Sequence, residues 1–267
     1  MSKRYLHDIK LIPRSVKPFK KLGVFFLVLL VLFILTILGH LLANFVVGGG
    51  FSWVSGNKIK LNGLNYYLIH FGEYDDEVSA SDCLFWTASG GGASYIQKFD
   101  KYIVCGQIYT NYDQASLVMD NFGEDLTYEP KLINIRIPKQ YLKVDGVSAL
   151  HKKTISVKVN MVSNIIDEIL DISNKLDKNQ ISKVSASSDI NSLKSNVKIT
   201  ALELSSINAN YNSDELNKVI NFFTLIEDSL DVCTTKLLSL ENYSNVCKYC
   251  ACEIFFNYYD FMENFDK

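Results

Sequence analysis

The hydrophobic period changes along the chain, and each change marks an element boundary. From Leu22 to Val47 the residues are almost uniformly apolar, with no Asp, Glu, Lys or Arg across 26 positions. That exceeds the roughly 20 residues needed to cross a bilayer core of about 30 Å, and predicts a single transmembrane helix. The run is also too long for the apolar core of a signal peptide and lacks a small-residue cleavage pattern. Gly48-Gly49-Gly50 reads as a flexible exit.

The period then turns strand-like. Asn65 to Phe71 is aromatic and β-branched, ends at Gly72, and precedes an acidic turn, Glu73 to Glu77. Val78 to Ala88 predicts a short helix stopped by Gly90-Gly91-Gly92. A second cycle follows: strands over Ala93 to Lys98 and Tyr102 to Cys105, a helix over Asp113 to Phe122, and an alternating strand over Leu132 to Ile137. The predicted order is βαββαβ, which makes an antiparallel sheet with helices on one face and the other face open.

Past Gly146 the apolar positions step by three and four. Val162, Ile165, Ile169, Ile172 and Leu176 form one seam, Ile190 to Ile207 a second and Leu216 to Leu237 a third. Short polar connections, Ser182 to Asp189 and Asn208 to Ser213, favour an antiparallel bundle, although an intermolecular coiled coil would use the same residues. The aromatic-rich segment Glu241 to Phe265 either completes the core or docks elsewhere. The fold class is therefore α+β. A cytoplasmic basic tail (1–21), a transmembrane helix (22–47) and a linker (48–63) precede a βαββαβ domain (64–140). A second linker (141–153) leads to a helical bundle or coiled coil (154–267).

Charge orients this arrangement. Met1–Lys21 holds seven Lys/Arg and one acid, so the positive-inside rule leaves the N-terminus cytoplasmic and the remaining mass outside. The residues after Lys21 hold 20 Lys/Arg and 28 Asp/Glu, a poor match to nucleic acid. His40 and Asn44 share one face near the distal end of the apolar run, where interfacial water satisfies them.

An internal echo sharpens the βαββαβ reading. Phe71-Gly72-Glu73-Tyr74 with Ala80 eight residues after the glycine resembles Cys105-Gly106-Gln107-Ile108 with Ala115 nine after it, and the two halves lie 34 residues apart. Each glycine predicts a structural turn where a strand leaves the sheet, and each alanine a close helix approach. On these residues Leu64 to Pro138, about a quarter of the chain, resembles the SPOR (sporulation-related repeat) domain of bacterial envelope and division proteins. The resemblance implies a single-pass protein of the bacterial cytoplasmic membrane whose domain binds peptidoglycan glycan strands across the open sheet face. Cell division or sporulation would be its setting. Candidate glycan-binding residues on that face are His70, Tyr74, Tyr95, Gln97 and Tyr102. Where the family carries Gln two residues before the first glycine and Ser after it, this chain has His70 and Glu73. The alternative is a membrane-tethered scaffold that binds envelope or division proteins through its bundle, or self-associates there, without a glycan. An open face with placed aromatic and polar groups favours the first, and a covered face the second.

Other chemistry is sparse. Cys247-x2-Cys250-x-Cys252 has thiolate spacing, but a structural zinc site needs four ligands, and Cys83, Cys105 and Cys233 are distant in sequence. Cys247, Cys250 and Ile254 continue a helical spacing, and Cys233 is the natural disulfide partner for the cluster. His7, His40, His70 and His151 stand in no nucleophile motif, and the glycine triplet lacks a following Lys-Ser/Thr. The sequence predicts no catalytic residue, metal or cofactor.

Overall fold

A computed structural model describes residues 58–122, 127–239 and 243–264. The predicted transmembrane helix, basic tail and glycine exit lie outside the described residues. Among the described residues, no helix is long and apolar enough to cross a membrane.

The elements are β1 (Lys58–Leu61), β2 (Asn65–Tyr74), α1 (Ser81–Ser89), β3 (Tyr95–Lys98), β4 (Tyr102–Tyr109), α2 (Tyr112–Asp120), β5 (Lys131–Arg136) and β6 (Gln140–Lys143). They are followed by α3 (Ala149–Asn160), α4 (Val162–Asp177), α5 (Lys183–Asn208), α6 (Asp214–Ser239) and α7 (Tyr243–Glu263). The chain is α+β, an antiparallel β/α region followed by a helical bundle.

The βαββαβ order is present as β2-α1-β3-β4-α2-β5, folded into an antiparallel sheet of order β3-β4-β2-β5. Two boundaries differ from expectation for steric reasons. Neither glycine ends its strand: β2 continues past Gly72 to Tyr74, and β4 past Gly106 to Tyr109. Gly72 takes φ +93° inside the register shift between His70 and Glu73 that bulges β2, a conformation a side chain disfavours. Gly106 is needed for space, because a Cβ there would lie 2.5 Å from Phe71 Cε2 and 3.2 Å from the Ile69 carbonyl oxygen.

The segments expected to be linkers contain ordered elements. β1 and β6 form a separate antiparallel pair with Ile59 opposite Leu142, and α3 begins at Ala149. Ser156 Oγ of α3 donates to the Lys60 carbonyl at 2.9 Å, which fastens the pair to the helices.

In the bundle, α5 and α6 run antiparallel. Lys194 reaches Asp231 at 2.7 Å and Lys198 reaches Glu227 at 3.6 Å, so partner numbers fall as the first rise. The seam is filled within the chain by Ile190, Val197 and Leu204 against Val219, Phe223 and Leu230, all fully buried. Helix α5 starts at Lys183, well inside the expected connection, because Ser182 caps it by accepting from the Ser185 N–H.

The β region and the bundle share one hydrophobic core. It runs from Tyr66, Leu68, Cys105 and Ile108 of the sheet through Ile166 and Ile169 of α4 to Phe255 and Phe256 of α7. A smaller core lies on the opposite sheet face, where Ile69, Phe71 and Val104 meet Ala80 and Cys83. The sheet is thus packed on both faces. On the bundle side α7 contributes aromatic rings: Phe255 lies 5.0 Å from Tyr66, and Phe256 lies 5.6 Å from Tyr95 and 5.9 Å from Phe99.

Candidate functional site

Cross-strand partners in an antiparallel pair project to the same face, so the register sorts the five candidate residues. Tyr95 and His70 both pair with Cys105, and Gln97 pairs with Ile103. Cys105 and Ile103 belong to the core shared with the bundle, which puts Tyr95, His70 and Gln97 on the bundle side. Tyr74 and Tyr102 pair with each other, and Tyr74 packs into the smaller core beneath α1 and α2. The five therefore divide between two faces.

Those on the bundle side are covered. Tyr95 stacks on Phe256 at 5.6 Å with an interplanar angle of 3°, and meets Tyr249 edge-on at 5.3 Å. Gln97 is buried, its amide donating to the Lys98 carbonyl at 3.2 Å. His70 is buried with Nδ1 3.3 Å from the Gly72 carbonyl oxygen, and desolvation holds its imidazole below the ordinary histidine range. On the other face, Tyr74 OH donates to the Phe71 carbonyl at 3.4 Å, while Tyr102 lies under the Lys98 ammonium at 5.2 Å. The expected open face carries α7, and the candidate groups do not converge on it.

The contact that closes this side has a polar clamp. Asn245 Nδ2 of α7 donates to the Ala88 carbonyl at 2.7 Å, and Lys248 Nζ donates to the Gly91 carbonyl at 2.8 Å. Lys248 is buried and also reaches Asp177 of α4 at 2.8 Å. The glycine triplet that stops α1 is thereby tied to two bundle helices. Nothing in the spacing of Lys248 signals this, since 157 residues separate it from Gly91.

Two clefts flank the clamp. One, of about 380 Å³, lies between α1 and α2 over the sheet and is lined by Phe71, Trp86, Phe122, Tyr109, Gly106 and Gln107. Its rings meet edge-on, Phe71 to Trp86 at 5.1 Å and Phe71 to Phe122 at 5.6 Å, so it suits an apolar or aromatic group. The other, of about 490 Å³, lies between α6, α7 and the segment joining α1 to β3. Cys233 and Cys250 line it, with Lys236, Tyr249, Glu253 and Ser94. The Ser94 backbone has φ +55°, and among the described residues its buried Oγ has no hydrogen-bond partner.

The thiols divide by environment. All six cysteines are free and buried. Cys247 and Cys250 lie one turn apart on α7, facing Cys233 of α6, whose Sγ is 3.9 Å from the Val246 carbonyl oxygen. Cys250 Sγ is 3.6 Å from the Ser229 carbonyl oxygen, one turn before Cys233. The two α7 thiols beside the Cys233 sulfur, with nearby Lys236, hold its ionisation below the ordinary thiol range. The neighbouring Cys233 sulfur, together with burial, pushes Cys247 and Cys250 up. Cys252 is pushed up to about 12 by burial, and Cys105 is likewise raised. Among the described residues, no group of three or more His, Cys, Asp and Glu side chains is arranged to hold a metal ion.

Compared with family models, curated proteins and solved structures, the chain matches none.

Proposed function

We propose that this chain is a membrane-tethered scaffold that binds protein partners and does not bind a glycan. The observation that carries the reading is the seating of Phe255 and Phe256 of α7 against Tyr66, Tyr95 and Phe99, on the sheet side a glycan platform would need open. A sugar site needs aromatic faces and hydrogen-bonding groups free to meet the ligand, and here those groups are spent on the core. The bundle supplies a rigid body on which Ile199 and Leu202, half or more exposed and three residues apart on α5, would face a partner. Tethering rests on the apolar run Leu22 to Val47.

The second reading, a SPOR-like peptidoglycan binder, draws support from the βαββαβ order of Asn65–Arg136. It would require α7 to leave the sheet and release Tyr95 and Gln97. Cosedimentation of the detergent-solubilised full chain with intact and amidase-treated sacculi separates the two. The scaffold reading expects no pelleting above a control without sacculi, together with protein adducts from a photo-crosslinker at Leu202 in native membranes. Pelleting that increases with amidase treatment and is lost in Tyr95→Ala would overturn it.

A further inference from the structure

We propose that Cys233, Cys247 and Cys250, at the floor of the cleft between α6 and α7, form a thiol–disulfide exchange centre that takes a small organic disulfide. Cys233 attacks and Cys250 resolves. Of the three thiols, Cys233 and Cys250 line the cleft and Cys247 does not, so the first two can meet a ligand while Cys247 supports Cys233 from behind. A volume of about 490 Å³ falls within the size of small-molecule clefts and exceeds what packing voids provide.

The surrounding charges favour a thiolate at Cys233 in particular. Lys236, one turn along α6, faces it from the cleft wall and lies 5.1 Å from the Tyr249 ring centroid. Glu253 of α7 stands beside Cys250 and opposes ionisation there. Near Cys247, Lys248 and Asp177 neutralise one another across 2.8 Å. The other buried cysteines lack this setting: Cys83, Cys105 and Cys252 do not line the cleft. At the cleft wall, the Ser94 hydroxyl, which has no partner among the described residues, offers a ligand a hydrogen-bonding group.

The exchange balances within the groups named. The Cys233 thiolate attacks one sulfur of the disulfide, forming a mixed disulfide and expelling the first thiolate. Cys250, giving up its proton to that leaving thiolate, attacks the Cys233 sulfur and expels the second, which takes a proton from solvent. Two protein thiols are oxidised to one disulfide, and one external disulfide is reduced to two thiols.

The test uses the reduced full chain in detergent. With limiting iodoacetamide at pH 7, peptide mapping is expected to show Cys233 alkylated at least about tenfold faster than the other five cysteines. Its rate should fall less than about threefold between pH 8 and pH 6, where an ordinary thiol loses about a hundredfold. With 2-hydroxyethyl disulfide, the wild type should end as a Cys233–Cys250 disulfide, and Cys250→Ser should accumulate the mixed disulfide on Cys233. Alkylation of Cys233 no faster than Cys105 or Cys252, or a Cys247–Cys250 disulfide formed without Cys233, overturns the proposal. The wild-type alkylation result decides alone if Cys250→Ser does not fold.

Discussion

Phe256→Ala is the perturbation that reports most on how this molecule is built. Phe256 is fully buried on α7 and touches rings from three places: Tyr95 at 5.6 Å, Phe99 at 5.9 Å and Phe255 at 5.0 Å. A phenyl side chain removes about 150–200 Å² from water, worth about 4–5 kcal/mol at roughly 25 cal/mol/Å². Truncation to alanine keeps part of that and leaves a cavity, so the loss should be about 3–5 kcal/mol. In a unit of this size that lowers the melting temperature by roughly 6–20 °C. Urea unfolding of the full chain would be followed by far-UV circular dichroism for the helices and by Trp86 fluorescence, in a Trp53→Phe background, for the sheet. Trp86 sits on the opposite sheet face, edge-on to Phe71, yet it should lose the same stability in the same transition, because Phe256 belongs to the core that joins sheet and bundle. A loss below about 1 kcal/mol, or a helical transition that moves while the Trp86 transition stays, would refute that reasoning.

Three further outcomes follow from named contacts. Lys248→Met should cost about 1–3 kcal/mol by unpairing the Gly91 carbonyl and Asp177, whereas Asp177→Asn, at a carboxylate 43% exposed, should cost under about 1 kcal/mol; thermal denaturation of both variants checks the order. Gly106→Ala should destabilise by about 1–3 kcal/mol through its clash with Phe71, and Phe71→Leu in the same chain should recover part of the loss in urea titration. Burial lowers the His70 pKa in the fold, so the unfolded chain binds its proton first as pH falls. The His70 contribution is complete above the unfolded value of about 6.5 and is lost as pH drops through the lower folded value. Melting temperatures at pH 7 and pH 5 should differ less in His70→Gln than in the wild type.

The strand and helix order was legible because the local periods were clean. Asn65 to Phe71 and Leu132 to Ile137 have strand-forming composition, Val162 to Leu176 steps by three and four, and each became the expected element within a few residues. The β1–β6 pair was not legible, since two four-residue strands some 80 positions apart carry too little pattern to distinguish them from linkers. Which face each candidate residue occupies was beyond alternation alone, because the register shifts around His70 and Gly72 move later residues of β2 to new partners. The aromatic row of α7 announced burial without naming its counterpart. Placing Phe256 on Tyr95 depends on a tertiary docking between positions 161 residues apart in the chain. The thiol cluster was half legible: helical spacing put Cys247 and Cys250 on one face and Cys233 was the expected neighbour, but the cleft and Lys236 come from how α6 meets α7.

The central claim is that α7 is a fixed part of the sheet's environment. Hydrogen–deuterium exchange of the full chain, compared between peptides from β4 (Tyr102–Tyr109) and from α7 (Cys247–Tyr258), tests it most directly. The account predicts that both segments exchange through one opening, with protection free energies equal within about 1 kcal/mol. Amides of α7 exchanging a hundredfold or more faster than those of β4, a gap of about 2.7 kcal/mol, would show a helix that leaves the sheet independently and would return the exposed face to the glycan reading.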